Sequence, residues 1–394
     1  MAKVDFSHYQ DRKQAYIKHC LLEGYLPEWA YKVGSTWDSL VYVDAFAGPW
    51  ETQHPNYADS SFGIAVDALR RCQLGLHESR GRDLHIECIL VEQDNEAFTH
   101  LNEFAVSETR PNFIVHALPG EFAKQVPAIN ELIRASGRNP FRFVFLDPKG
   151  WADIPMDKLQ PLLKSRSCEV LVNLMTKHIN RFLREPDRES SYHQLFGRPG
   201  VVEILRNAQP EERVKRAVQE YSVSLKSLCK FKYVSSAVIM EPDEERVRYY
   251  LVYATNHPRG VEVFKAAENT AARIQDRVRQ QSRLIKTGGQ LEFPSETGPS
   301  KSRVIGELLQ RYMRSARDNV LNVLRSNTSA MGVDYADLFC EAMAFPLVTP
   351  DDLVGWLRAL EPHIQITLDG APSTKKPKPA EDYRVVVINP RALA

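Results

Sequence analysis

Four acidic residues stand where apolar runs give way to loops, and their types suggest what they hold. Asp44 ends the run Leu40-Val41-Tyr42-Val43 and opens Asp44-Ala45-Phe46-Ala47-Gly48-Pro49-Trp50, a turn whose small residues let a ligand approach the backbone closely. Glu92 follows Cys88-Ile89-Leu90-Val91, and a carboxylate there offers two oxygens to the paired hydroxyls of a ribose. Gly120-Glu121-Phe122 combines an acceptor for an adenine amino group with an aromatic face for the ring. Asp147-Pro148-Lys149-Gly150-Trp151 closes the apolar Phe143-Val144-Phe145-Leu146. There proline stiffens the turn, glycine opens space, and Asp147 can orient a bound group or accept hydrogen bonds from a reacting one. Each has a plainer reading: a strand-to-loop turn at Asp44, a solvated strand end at Glu92, a dipole-favoured helix start at Glu121 and a structural Asp-Pro turn at Asp147.

The elements that must position these residues are legible from periodicity. Asp11 to Trp29 carries apolar residues at helical spacing. The runs LVYVDAF, HIECILVE, NFIVHAL, FRFVFLDP and EVLVNLM are short and apolar, as buried parallel strands are, and alternate with helical stretches such as Gly63 to Leu74 and Glu121 to Ser136. The pattern predicts a doubly wound, mostly parallel α/β sheet over residues 1–285, with a helical insertion at about 177–225. KYVSSAVIM and RVRYYLVYATN, joined by EPDEE, read as a β-hairpin, followed by a long helix. Strand-end Asp44, Glu92, Glu121 and Asp147 then succeed one another over about four β/α units, an order that resembles that of Rossmann-like methyltransferases.

Residues 286–302 concentrate Gly, Pro and Ser and read as a linker. Beyond it, residues 303–394 carry helices and then two apolar runs around a Pro- and Lys-rich loop, the pattern of a small winged helix-turn-helix domain. Lys375, Lys376 and Lys378 at the tip of that loop are placed to touch a nucleic-acid backbone, whereas Asp351 and Asp352 would repel phosphates. Arg181, with Lys177, His178, Asn180 and Arg184, is a candidate basic rim over the sheet. Lys13, Lys18 and His19 reach the cleft or form a solvated helix face, the second being the expectation; Arg273, Arg277, Arg279, Arg283 and Lys286 are expected to be solvated too. Asn256 and His257 are expected to fix a helix start rather than to act in chemistry.

The chain of 394 residues has 51 Lys+Arg against 50 Asp+Glu, so any nucleic-acid surface must be a local patch. Six scattered cysteines without a C-x-x-C pair read as reduced core thiols, and no metal site is expected. The polar amino terminus and the lack of a long apolar run predict a cytoplasmic protein without a membrane span.

Taken together, VYVDAFAGPW, ILVEQD, PGEF, FVFLDPKGW and LVYATNHPRGVEVFK resemble the bacterial three-Cys-motif partner family, whose members are methyltransferase-like. The resemblance covers most of residues 6–285 and implies S-adenosylmethionine as cofactor and a three-Cys-motif protein as partner. It implies cofactor contact by Asp44, Phe46, Ala47 and Gly48, ribose binding by Glu92, and an active-site wall at Asp147, Pro148 and Gly150. With Glu121 and Phe122 added at the adenine, and Asp147, Pro148 and Lys149 as the catalytic set, the expected function is methyl transfer to a nucleic acid with a partner protein. Trp50 and the lack of a second proline after Pro148 motivate an alternative, a catalytically idle scaffold of the same fold that binds a partner. A nucleic-acid processing protein is the weaker third reading, because its acids would have to converge on Mg²⁺.

Overall fold

The computed structural model describes residues 6–9, 12–48, 52, 54, 56–150, 153–176, 179, 183, 189–286, 303–327, 329 and 331–389. A seven-stranded sheet runs in the order β3-β2-β1-β4-β5-β7-β6. Its strands are β1 (Ser39–Asp44), β2 (His85–Glu92), β3 (Phe113–Pro119), β4 (Phe141–Leu146), β5 (Cys168–Leu174), β6 (Tyr233–Met240) and β7 (Val247–Thr255). The first five are parallel; β7 runs antiparallel to both β5 and β6, so the expected hairpin does complete the sheet.

Both faces are covered, which is why the strands read as unbroken apolar runs. Side chains alternate: Val41, Val43, Val144 and Leu146 pack into one core, and Leu40, Tyr42, Phe143 and Phe145 into the other. Helices α1 (Lys13–Gly34), α2 (Ser61–Arg80), α3 (Asn95–Glu108) and α9 (Pro258–Lys286) bury residues on the second face. The first face takes α4 (Phe122–Ala135), α5 (Met156–Leu163), and α6 (Glu189–Phe196), α7 (Val201–Asn207) and α8 (Arg213–Leu228) of the insertion. All six cysteines are buried and free.

The carboxyl-terminal elements are α10 (Arg303–Ser326), β8 (Val333–Asp334), α11 (Tyr335–Ala342), α12 (Pro350–Ala359), β9 (Ile364–Leu368), β10 (Ala371–Pro372) and β11 (Tyr383–Val387). Their small sheet runs β10-β9-β11-β8. Thr349 caps α12 in a capping box with Asp352, so Asp352 is used to start the helix. These elements do not stand apart from the large sheet. Tyr312, Leu338 and Phe339 share the first core, and Tyr312 hydrogen-bonds Tyr250 at 2.6 Å. The hydroxyls of Ser235 and Ser236 donate to the carbonyls of Met343 and Ala344, and Lys265, buried with Glu268 as an ion pair, donates to Phe345 O at 2.9 Å. Glu268 in turn accepts the amide of Leu347 at 2.8 Å. The 286–302 linker expected from composition lies, after Lys286, outside the described residues.

Candidate functional site

A cavity of about 410 Å³ opens at the carboxyl ends of the parallel strands. That size and position suit a small molecule in a doubly wound sheet. Its wall includes Phe46 and Gly48 after β1, Glu92 at the end of β2, Phe122 at the start of α4, and Asp147, Pro148 and Lys149 after β4. Seven of the sequence candidates thus converge on one space.

Glu92 is 4% exposed and accepts the Asp94 amide through Oε1 at 2.7 Å, while its carbonyl takes the Gly120 amide at 2.8 Å, tying the loops after β2 and β3 together. The Phe46 and Phe122 rings lie 5.7 Å apart and tilted by 48°. Asp147 is gripped from two sides: Asn173 Nδ2 donates to Oδ1 at 2.6 Å, and Lys18 pairs with Oδ2. Asn173 Oδ1 is buried on the cavity wall without a hydrogen-bond partner among the described residues.

Three candidates sit elsewhere than expected. Asp44 is fully buried and does not line the cavity; it accepts the Ser61 hydroxyl at 2.7 Å and the Phe46 amide at 3.2 Å, bracing the loop from beneath. Ala47 is likewise fully buried, its amide tied to Val91 O at 2.8 Å. Glu121 is exposed, outside the cavity, and paired with Lys124 at 2.8 Å, because β3 is the sheet's edge strand and its loop turns that side chain to solvent. The helix-start reading of Glu121 therefore describes it better than the adenine one.

Lys18 and His19 correct the solvated-face expectation in the other direction. Both are buried and line the cavity. His19 Nδ1 lies 2.8 Å from Tyr9 Oη, and burial, with Lys18 and Arg12 beside it, holds the imidazole well below its usual pKa and therefore neutral. Arg12, also on the wall, pairs with buried Asp59. Arg279 is buried too, bonded to the Glu241 and Glu244 carbonyls in the β6–β7 turn. Asn256 holds the amide of Lys232 and the carbonyl of Ser165, as a turn residue does.

At the carboxyl-terminal loop, Lys375, Lys376 and Lys378 are exposed, with Lys376 paired to Asp351 at 2.5 Å and Lys378 to Glu381 at 3.0 Å. Arg181, Lys177 and His178 lie outside the described residues, as do Trp50 and Trp151. Among the described residues no group of His, Cys, Asp or Glu is arranged to hold a metal ion, and no helix is long and apolar enough to cross a membrane.

Burial pushes the Asp44 carboxyl up from 3.8 to about 6, against the lowering by Ser61 and the Phe46 amide. Below 3.8 the side chain is protonated whether folded or not; between 3.8 and about 6 the folded state holds the extra proton, so stability falls as pH rises and the loss is complete above 6. Asp44→Asn removes that loss. Relative to the wild type it should gain on the order of 3 kcal/mol between pH 4 and pH 7. Urea unfolding of both proteins at the two pH values measures this, and an equal stability difference at both would refute it.

No protein-family model and no curated protein matches the chain. Solved structures similar to it include the O-methyltransferase from Bacillus cereus in complex with SAH, at 11% identity and TM-score 0.30, covering 59% of this chain and 80% of that one. The O-methyltransferase TomG from Streptomyces achromogenes, in complex with SAM, is 16% identical at TM-score 0.31 over 59% of this chain and 78% of its own. Loganic acid methyltransferase with SAH is 9% identical at TM-score 0.30 over 72% and 91%. These likenesses are faint, and the function proposed below rests on the cavity and its residues.

Proposed function

We propose that the chain is a cytoplasmic S-adenosylmethionine-dependent methyltransferase that acts on a nucleic acid together with a partner protein. The observation that carries this reading is the convergence of Phe46, Gly48, Glu92, Phe122 and Asp147 on one cavity at the carboxyl ends of β1, β2 and β4. The donor set fits a nucleoside cofactor: a buried carboxylate for the ribose hydroxyls, two aromatic rings for the base, and a glycine where backbone meets ligand. When bound, S-adenosylmethionine supplies an electrophilic methyl on a sulfonium. The chain's own part is to hold the acceptor in line and receive its hydrogen bonds, which Asp147 does from a position fixed by Lys18 and Asn173. Pro148 and Lys149 continue that wall.

The domain reading, residues 1–285 as the methyltransferase domain and 303–394 as a winged-helix domain, is supported by the order α10-β8-α11-α12-β9-β11 with β8 and β9 both paired to β11. The resemblance to the three-Cys-motif partner family supports a three-Cys-motif protein as the companion. A second reading, the idle scaffold, draws on Asp147 having both oxygens engaged within the chain.

Transfer of a labelled methyl group separates the two, since an idle scaffold gives none even where its open cavity binds S-adenosylmethionine, and calorimetry measures that binding. In the same titration Glu92→Ala, still folded, should bind about 1–3 kcal/mol more weakly, the cost of leaving bonded polar groups unpaired. Equal affinity in wild type and variant would remove Glu92 from the site.

A further inference from the structure

A second cavity, of about 1150 Å³, lies at the opposite edge of the same sheet, where β4 and β5 begin. Strands of this length separate it from the first by roughly 20 Å. Its apolar side is aromatic: Trp29 and Trp37 from α1 and the loop after it, with Phe141 at the start of β4, whose ring meets Trp37 edge-on at 5.0 Å. The Trp29 indole is 2% exposed, and its Nε1 has no hydrogen-bond partner among the described residues.

Around that side stand six cations, Lys32, Lys164, Arg166, Lys230, Lys232 and Arg259, against one lining acid. The acid, Glu169, is buried, and its oxygens take the hydroxyls of Tyr25 and Thr255. Lys32 and Lys232 are paired with Glu28 and Asp337; Lys164, Arg166, Lys230 and Arg259 are exposed and form no ion pair among the described residues. Four unpaired cations converging on an aromatic hollow carry a standing cost in mutual repulsion that an anion relieves. A flat aromatic wall beside them suits a ring that carries the anion.

We propose that this hollow is a second binding site, for a nucleotide, with its phosphate on Lys164, Arg166, Lys230 and Arg259 and its base against Trp37. The site is independent of methyl transfer: no lining residue is shared with the first cavity. Free nucleotides and strand nucleotides share this chemistry, and the experiment tells them apart.

Full-length protein is titrated, by fluorescence anisotropy, with a labelled ten-nucleotide single-stranded oligonucleotide and with a labelled mononucleotide, each at several salt concentrations. Lys164→Glu/Arg166→Glu changes two exposed side chains and should weaken binding at least tenfold and lower the salt slope by about two. Trp37→Leu, with its thermal unfolding checked, should weaken binding about fivefold or more. S-adenosylmethionine affinity should stay unchanged in both. Comparable affinities for the two probes identify a free nucleotide as the ligand, and binding of the oligonucleotide alone identifies a strand. No binding of either probe by the wild type, or equal affinities in wild type and Lys164→Glu/Arg166→Glu, overturns the proposal.

Discussion

Lys265→Met is expected to cost about 3–5 kcal/mol of stability, the scale for removing one partner of a buried ion pair. Lys265 is 1% exposed and Glu268 4%, and the two face each other one turn apart on α9. The ammonium also donates to Phe345 O, and the carboxylate accepts the Leu347 amide, so the pair grips the segment that leads from α11 to α12. Without Lys265 the Glu268 carboxylate stays buried, and the pKa that burial already raises climbs further. Glu268→Leu in the same chain removes the stranded charge, so the double variant should recover a good part of the loss. Urea unfolding of the wild type, both single variants and the double variant measures the cycle. A loss under about 1 kcal/mol for Lys265→Met would show that the pair is not what fastens this segment.

Asp147→Asn should lower methyl transfer by about a hundredfold or more while leaving most cofactor affinity in place, the signature of a contact made to the reacting group. The amide keeps the shape and can still accept from Asn173, but it gives up the charge that pairs with Lys18, so some stability should be lost while calorimetry reports whether the cofactor site stays folded. Lys18→Met removes the other half of the pair. Asp147 then loses its cation while keeping Asn173, and transfer should fall as well, with some loss of stability because both groups are largely buried. The readout is transfer of a labelled methyl group to nucleic acid, alongside calorimetry for the cofactor. Activity of Asp147→Asn within a few-fold of the wild type would end its catalytic assignment.

The sheet was legible because each parallel strand is buried on both faces and so appears as an apolar run, with Asp44, Glu92 and Asp147 marking the ends. Lys18 and His19 were not, because a charged pair on an amphipathic helix is ordinarily solvated. Their burial comes from Asp147, far along the chain, for one, from Tyr9 in the turn folded back ahead of α1 for the other, and from the wall they share with Ser60 and Ser61. Glu121 misled for the opposite reason: its distance in sequence matched a base contact, but its strand lies at the rim of the sheet. The docking of the carboxyl-terminal elements did leave a trace in the sequence. Ser235 and Ser236 interrupt an otherwise apolar strand, and each spends its hydroxyl on a carbonyl of the segment that covers it.

Strand β6 ends the large sheet, and an outermost strand is where one molecule can add itself to the next. Here that margin is dressed. Gln275, buried on α9, takes the Met240 amide at 2.9 Å, Asn256 takes the Lys232 amide at 3.0 Å, and the segment following α11 lies over Ser235 and Ser236. A chain stopped after α9 would lose the segment that takes the Ser235 and Ser236 hydroxyls and leave them without those partners beside an open strand. Such a truncation should be prone to polymerise, and the carboxyl-terminal elements guard the molecule against its own copies whatever else they bind.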